Sequence, residues 1–219
     1  MPVIVPWAAV CASLLGLQGY QDAHADGIAT YSIDNTTSEL HVLVHRAGAL
    51  ARLGHNHIIA AGAMEGTVYL DPEVPKSTMD LTLPVAGFVI DDRELRQIEG
   101  EGFASVPSQK DIDGTRRNMV GKKLLDVMNF PTIHVSGRVL QADEQGNKTI
   151  EIQILVKNAS AVRRVPVALS IEDERISASG TVVLNHEELG LKPFSAALGT
   201  LKVAKPITVR FSLDFRRTN

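Results

Sequence analysis

Six histidines at short spacings are the residues of this chain best suited to chemistry: His41, His45, His55, His57, His134 and His186. Residues two or four apart on a strand share a face. His41 and His45 therefore project together, and so do His55 and His57 if 53–59 is extended. Two such pairs on neighbouring strands could bind zinc or copper through imidazole nitrogens, or ligate a haem iron. Gly54-His55-Asn56-His57 is the densest cluster. The plainer reading makes it a polar turn and leaves the other histidines as half-exposed strand residues, because His-x-His alone lacks the fixed third and fourth ligands of a closed site. A metal- or haem-binding protein using His41, His45, His55 and His57 is the alternative reading of this sequence.

Other chemistry is scarce. The chain has no Gly-x-Ser-x-Gly, no phosphate-cradling glycine loop and no His-Glu-x-x-His. Asp91-Asp92, Glu99 and Glu101 offer carboxylates, but they stand among polar residues and read as solvated surface. We expect no enzyme and no resident cofactor. Charge points nowhere in particular: 22 basic residues stand against 25 acidic ones, for a net −3. The basic pairs at 116–117, 122–123, 163–164 and 216–217 are scattered and form no stripe of the kind nucleic acid requires.

Residues 1–25 predict a signal peptide. Val3 to Gly19 is an apolar run interrupted by Pro6 and Gly16, too short for a membrane span, and Ala23-His24-Ala25 has the small-x-small pattern of a cleavage site. Cys11, the single cysteine, lies inside that run. The domain over 26–219 is then exported, free of cysteine and without a membrane span. It must rely on a hydrophobic core in place of disulfides or thiolate-bound metal.

The elements that must position these residues show a period of two. Alternation runs through Tyr31 and Ile33, then Leu40, Val42 and Val44, then 66–71, 78–85, 132–140, 148–156, 165–171, 175–184 and 207–215. Asp71-Pro72, Glu144 to Asn147 and Glu172-Asp173-Glu174 supply turns. At least eight strands with short links predict an all-β fold, an eight-stranded antiparallel barrel. Between Ile90 and Pro131 helical spacing takes over. A short turn or two at 92–99 and a helix from Asp113 or Thr115 to about Met128 predict a helical insertion against the barrel. The inward set expected from parity is Leu40, Val42, Val44, Val68, Leu81, Leu83, Ile133, Val135, Ile152, Ile154, Val167, Leu169, Val209, Phe211 and Leu213. Such a set either closes a solid core or surrounds a ligand.

Several motifs in order resemble one family. Tyr31-x-Ile-Asp34 is followed by Ser38-x-Leu-x-Val-x-Val44, Gly66-x-Val-x-Leu-Asp71, Leu124 with Phe130-Pro-x-Ile133-x-Val135, and Val183-Leu-Asn-His-Glu-Glu-Leu-Gly190. Together they are similar to the YceI-like family of periplasmic proteins. That resemblance implies a lipocalin-like barrel binding a polyisoprenoid lipid or quinone along Leu40, Val42, Val44, Val68, Leu81, Leu83, Ile133, Val135, Val167, Leu169 and Phe211. It also implies a periplasmic location and polar head-group contacts at Arg46, Asn185 and His186. The sequence departs from the family at Thr37, Arg46, His186 and Leu189. Whether two barrels pair as a homodimer is open at this stage.

Overall fold

The computed structural model describes residues 27–142 and 148–218. The expected signal peptide and the Glu144–Asn147 turn lie outside the described residues. Among the described residues there are twelve strands: β1 (Ala29–Ile33), β2 (Glu39–Ala47), β3 (His57–Ala60), β4 (Glu65–Leu70), β5 (Thr78–Pro84), β6 (Val89–Ile90), β7 (Thr132–Ala142), β8 (Lys148–Val156), β9 (Ala159–Ile171), β10 (Arg175–Asn185), β11 (Ser195–Ala196) and β12 (Leu201–Arg217). All their pairings are antiparallel.

Three pairs of these segments are broken strands. β1 and β2 lie end to end along β12, with Ile33 opposite Phe215 and Glu39 opposite Ser212. β3 and β4 follow on the other side, then β5 and β6. The sheet proceeds through β7, β8, β9, β10 and β12 and returns to β1, closing an eight-stranded barrel. The seam is loosest between β9 and β10, which pair only over 167–171 and 176–180 and leave 159–166 with β8 alone as strand partner.

The break between β1 and β2 explains part of the motif that opens the domain. Asp34 accepts hydrogen bonds from the Thr36 amide and hydroxyl and from Arg216 Nε. These hold its carboxyl down at about 2 from an ordinary 3.8. Its own amide donates to the Asp214 carbonyl, and Ser38 Oγ bonds the backbone of Asp214 in both directions. Asp34 and Ser38 thus latch a bent strand to its neighbour.

The insertion differs from its expected shape. α1 (Arg93–Glu99) is capped by Asp92, and α2 (Gln109–Val120) by a Ser108–Asp111 capping box. The earlier cap takes the orphan amides of the first turn, so the helix starts before Asp113 and ends at Gly121, well short of Met128. Residues 121–130 form tight turns instead, with the Leu125 amide on the Met119 carbonyl and the Val127 amide on that of Val120. Met128 is consequently exposed to solvent. Phe103 and Leu95 of the insertion pack with Leu43 and Ile58 on the outer wall of β2 and β3, a small second core outside the barrel.

Candidate functional site

Strand parity assigns the interior. Leu40, Val42 and Val44 face inward from β2, Leu81 and Leu83 from β5, Ile133 and Val135 from β7, and Val209, Phe211 and Leu213 from β12. In a solid barrel such residues would be buried throughout. Here Val42, Val135, Ile150, Ile152, Val209 and Phe211 are only partly covered, because they border a void. A central cavity of about 160 Å³ is lined by apolar side chains alone, among them Leu40, Leu83, Ile152, Ile154, Val167 and Phe211. It matches in size an apolar cavity of about 150 Å³ that stays dry and accepts benzene. Gly180 helps shape it. A Cβ there would lie 2.8 Å from Phe211 Cζ, so the glycine gives the inward phenyl ring its place.

Two further cavities extend the space along the barrel axis. One of about 60 Å³ toward the opposite end includes Val68 and Leu169 and shares Met79, Ile150 and Ala178 with the central void. The other, of about 240 Å³, shares Val42, Phe88, Ile133, Val156, Leu189 and Ile207 with the central one, and Val44 belongs to it. It reaches the surface beside Phe194 and Asn118, both exposed. α2 and the 121–125 turn form one side of this mouth through Thr115, Asn118, Met119, Leu124 and Leu125, and Leu189, Leu191 and Phe194 form another. All eleven apolar residues that the family resemblance implies for binding border one of the three cavities. A larger depression of about 370 Å³ lies among Asp80, Arg138, Glu151 and Val162 of β5, β7, β8 and β9, and shares Thr78, Met79, Gly137 and Arg138 with the 60 Å³ cavity.

The polar residues of the mouth cavity are His57, Thr115, Asn118 and His186. His186 opens a short 3-10 turn (His186–Leu189) that ends on Gly190, whose φ of +66° suits glycine. Its Nδ1 lies 2.9 Å from the Lys205 carbonyl, which only accepts, so Nδ1 carries a proton and Nε2 is left for another partner. His57 is held differently. Its Nδ1 is 2.6 Å from Asp91 Oδ2, and Asp91 Oδ1 takes the Ile58 amide at 3.1 Å and Arg96 Nη1 at 2.5 Å. Arg96, itself buried, also donates to the carbonyls of Asn56 and Ser105. Burial pushes the Asp91 carboxyl up, but the hydrogen bond and charge of His57, the Ile58 amide and Arg96 outweigh it and leave the group below its ordinary range.

This network corrects two sequence-based expectations. Asp91 is not solvated surface: its side chain is fully buried, at a left-handed φ of 56°. Such a conformation in a non-glycine residue persists only where surrounding structure over-determines it. Nor do the four histidines converge. Val44 pairs with His57, which places His57 on the inward face, whereas His41 and His45 alternate outward. His41 sits 4.0 Å from Glu39, and His45 packs edge-on against Phe103 with ring centres 5.6 Å apart. His55 lies 3.4 Å from Ser105 Oγ and 3.9 Å from Asp111. Among the described residues no three His, Cys, Asp or Glu side chains are grouped to hold a metal ion.

Two of the three implied head-group residues stand apart from the mouth. Arg46 is exposed, its Nη1 donating to the Gly54 carbonyl at 2.6 Å and its amide to Asn56 Oδ1. Asn185 caps the 186–189 turn in a reciprocal arrangement with Glu188, which also pairs with Arg163. Only His186 lines the cavity. His57, assigned to metal by spacing, was the residue missed for this place; Asp91 and Arg96, which fix its ring, carried no signal beyond an acidic pair and an isolated arginine.

The fold and this site define an antiparallel barrel with an apolar, surface-connected interior, the build of a small-molecule-binding barrel. The crystal structure of Burkholderia cenocepacia BcnA has the same fold, with a TM-score of 0.59 at 13% identity over 83% of this chain and 98% of that one. A mutant YceI protein of Campylobacter jejuni aligns over 74% of this chain and 84% of its own at 7% identity, with a TM-score of 0.47 that adds no weight. No family model matches the sequence, and no curated protein does. The eight-stranded antiparallel barrel implied by the YceI-like motifs is the fold observed.

Proposed function

We propose that this chain is a YceI-like binding protein, not an enzyme, that carries or sequesters one slender amphiphile. The observation that supports this is the partly uncovered inward face of the barrel, where apolar side chains border a string of cavities. A polyisoprenoid tail placed there gains about 25 cal/mol per Å² of apolar surface removed from water. Its polar end belongs at the mouth, where His57 and His186 each have one ring nitrogen left after their fixed bonds. Two imidazole nitrogens open to a hydrogen bond suit a hydroxyl or a quinone oxygen, which fits the isoprenoid lipids and quinones implied by the resemblance. The binding enzyme-like feature, the His57–Asp91 pair, serves in this reading to orient a ring and not to activate a nucleophile, since no described hydroxyl hydrogen-bonds His57. Removal of 1–25 on export would place the carrier in the periplasm; no helix among the described residues is long and apolar enough to cross a membrane.

Native mass spectrometry of gently purified protein tests the reading. A bound species of lipid mass is expected, released by organic solvent and restored by added ubiquinone. Repeated recovery of empty protein from lipid-rich extracts, together with failure to take up ubiquinone or a long-chain prenol, would overturn it.

A further inference from the structure

The open end of the barrel has a surface composition that folding does not explain. On the barrel strands, exposed apolar side chains reach at most 57% exposure, at Val183. Off the strands this is exceeded at Ile98 (79%) and Val106 (70%) of the insertion and, at the open end, at Leu53 (66%), Met128 (90%) and Leu198, which is wholly exposed. Leu198 is also in the left-handed region, at φ 54° and ψ 34°. Backbone sterics favour glycine or asparagine there, and water favours a polar side chain, yet a leucine occupies the site.

These residues belong to one rim. The Leu50 amide donates to the Thr200 carbonyl, and Gly48 and Gly54 approach Thr200 and Leu201, so the loop bearing Leu53 adjoins the one bearing Leu198. Phe194, 43% exposed, continues the rim into the mouth cavity opposite Leu124 and Leu125, and Met128 follows three residues on. The same loops are basic in a chain of net charge −3. Segments 48–56, 121–130 and 186–205 hold Arg52, Lys122, Lys123, Lys192, Lys202 and Lys205 against the acids Asp126, Glu187 and Glu188. Of the six, Lys205 pairs with Glu187 at 3.1 Å. α2, also at the mouth, adds Lys110, Arg116 and Arg117 against Asp111 and Asp113.

Exposed apolar tips among cations are what an anionic bilayer surface recognises: apolar side chains enter the head-group boundary while lysines meet lipid phosphate. We propose that this end of the barrel docks on anionic phospholipid membrane, with Leu198 and Phe194 as the inserted residues and the mouth cavity facing the bilayer. The inference stands apart from the identity of the cargo, since it concerns the outside of the mouth.

Hydrogen exchange of the full chain with and without vesicles tests it, because protection is read segment by segment and is separable from any contact made by residues 1–25. Equimolar phosphatidylglycerol and phosphatidylcholine vesicles should slow exchange in 190–203 and 121–130, and pure phosphatidylcholine should do so much less. Leu198→Gly should cut vesicle affinity by about fivefold or more, from the loss of one inserted leucine, without lowering the melting temperature, since glycine relieves the backbone. Protection absent from both segments at low salt, or a Leu198→Gly variant that binds as the parent does, overturns the proposal.

Discussion

Ala178 sits where the central and the 60 Å³ cavities meet, and a larger side chain there should separate stability from binding. Replacing it with leucine adds about three methylene equivalents to a wall that already borders empty space. At ~0.8 kcal/mol per buried methylene the ceiling is about 2.4 kcal/mol. An empty cavity of 160 Å³, charged at about 24 cal/mol per Å³, costs about 4 kcal/mol, so the void can absorb that gain. Rotamer restriction and imperfect fit reduce it, and the expected stabilisation is about 1–2 kcal/mol. For a domain of this size that raises the melting temperature by about 2–8 °C. The same leucine occupies the path of a threaded tail, so uptake of ubiquinone, followed by displacement of a fluorescent probe, should weaken about tenfold or more. Calorimetry and displacement titration on the same preparation give both numbers. A solid interior makes the opposite forecast: overpacking would cost about 1–3 kcal/mol, with binding of apolar probes unchanged because they never entered. A destabilised Ala178→Leu variant that binds as before would refute the hollow-barrel reasoning.

Two other expectations follow from the mouth. Asp91→Asn leaves Arg96 buried without its counter-charge and should cost about 3–5 kcal/mol in denaturant unfolding. Because the folded Asp91 carboxyl lies below its ordinary 3.8, its contribution is fully present above that value and is lost as pH falls through the folded one. The parent should therefore lose stability below about pH 4, and the variant should show less of that slope; an unchanged acid limb would remove Asp91 from the account. His57→Ala and His186→Ala should each weaken a long-chain alcohol about 2- to 10-fold, the worth of one hydrogen bond, and leave the alkane of equal length unaffected. Equal losses for both probes would mean that the imidazoles act by packing alone.

The sequence by itself determined the barrel. Period-two runs such as 40–44, 132–140 and 207–215 fix which side chains share a face, and parity alone selects Leu40, Val42, Val44, Ile133, Val135, Val209 and Phe211 as inward. Turn chemistry and the short links between most of the strands then leave a closed meander as the natural architecture. What it could not determine is anything that depends on register between segments remote in the chain. His57 is indistinguishable from His55 along the sequence, yet its pairing opposite Val44 turns it inward and dissolves the metal cluster. Asp91 looks like its exposed neighbour Asp92, but the close of β6 on β3 carries it under Arg96 and against His57. Whether the interior is solid or hollow is likewise tertiary, since the same valines and isoleucines fill a core or line a void according to how far apart the closed sheet holds them. Local periodicity chose the faces; only barrel closure set the space between them.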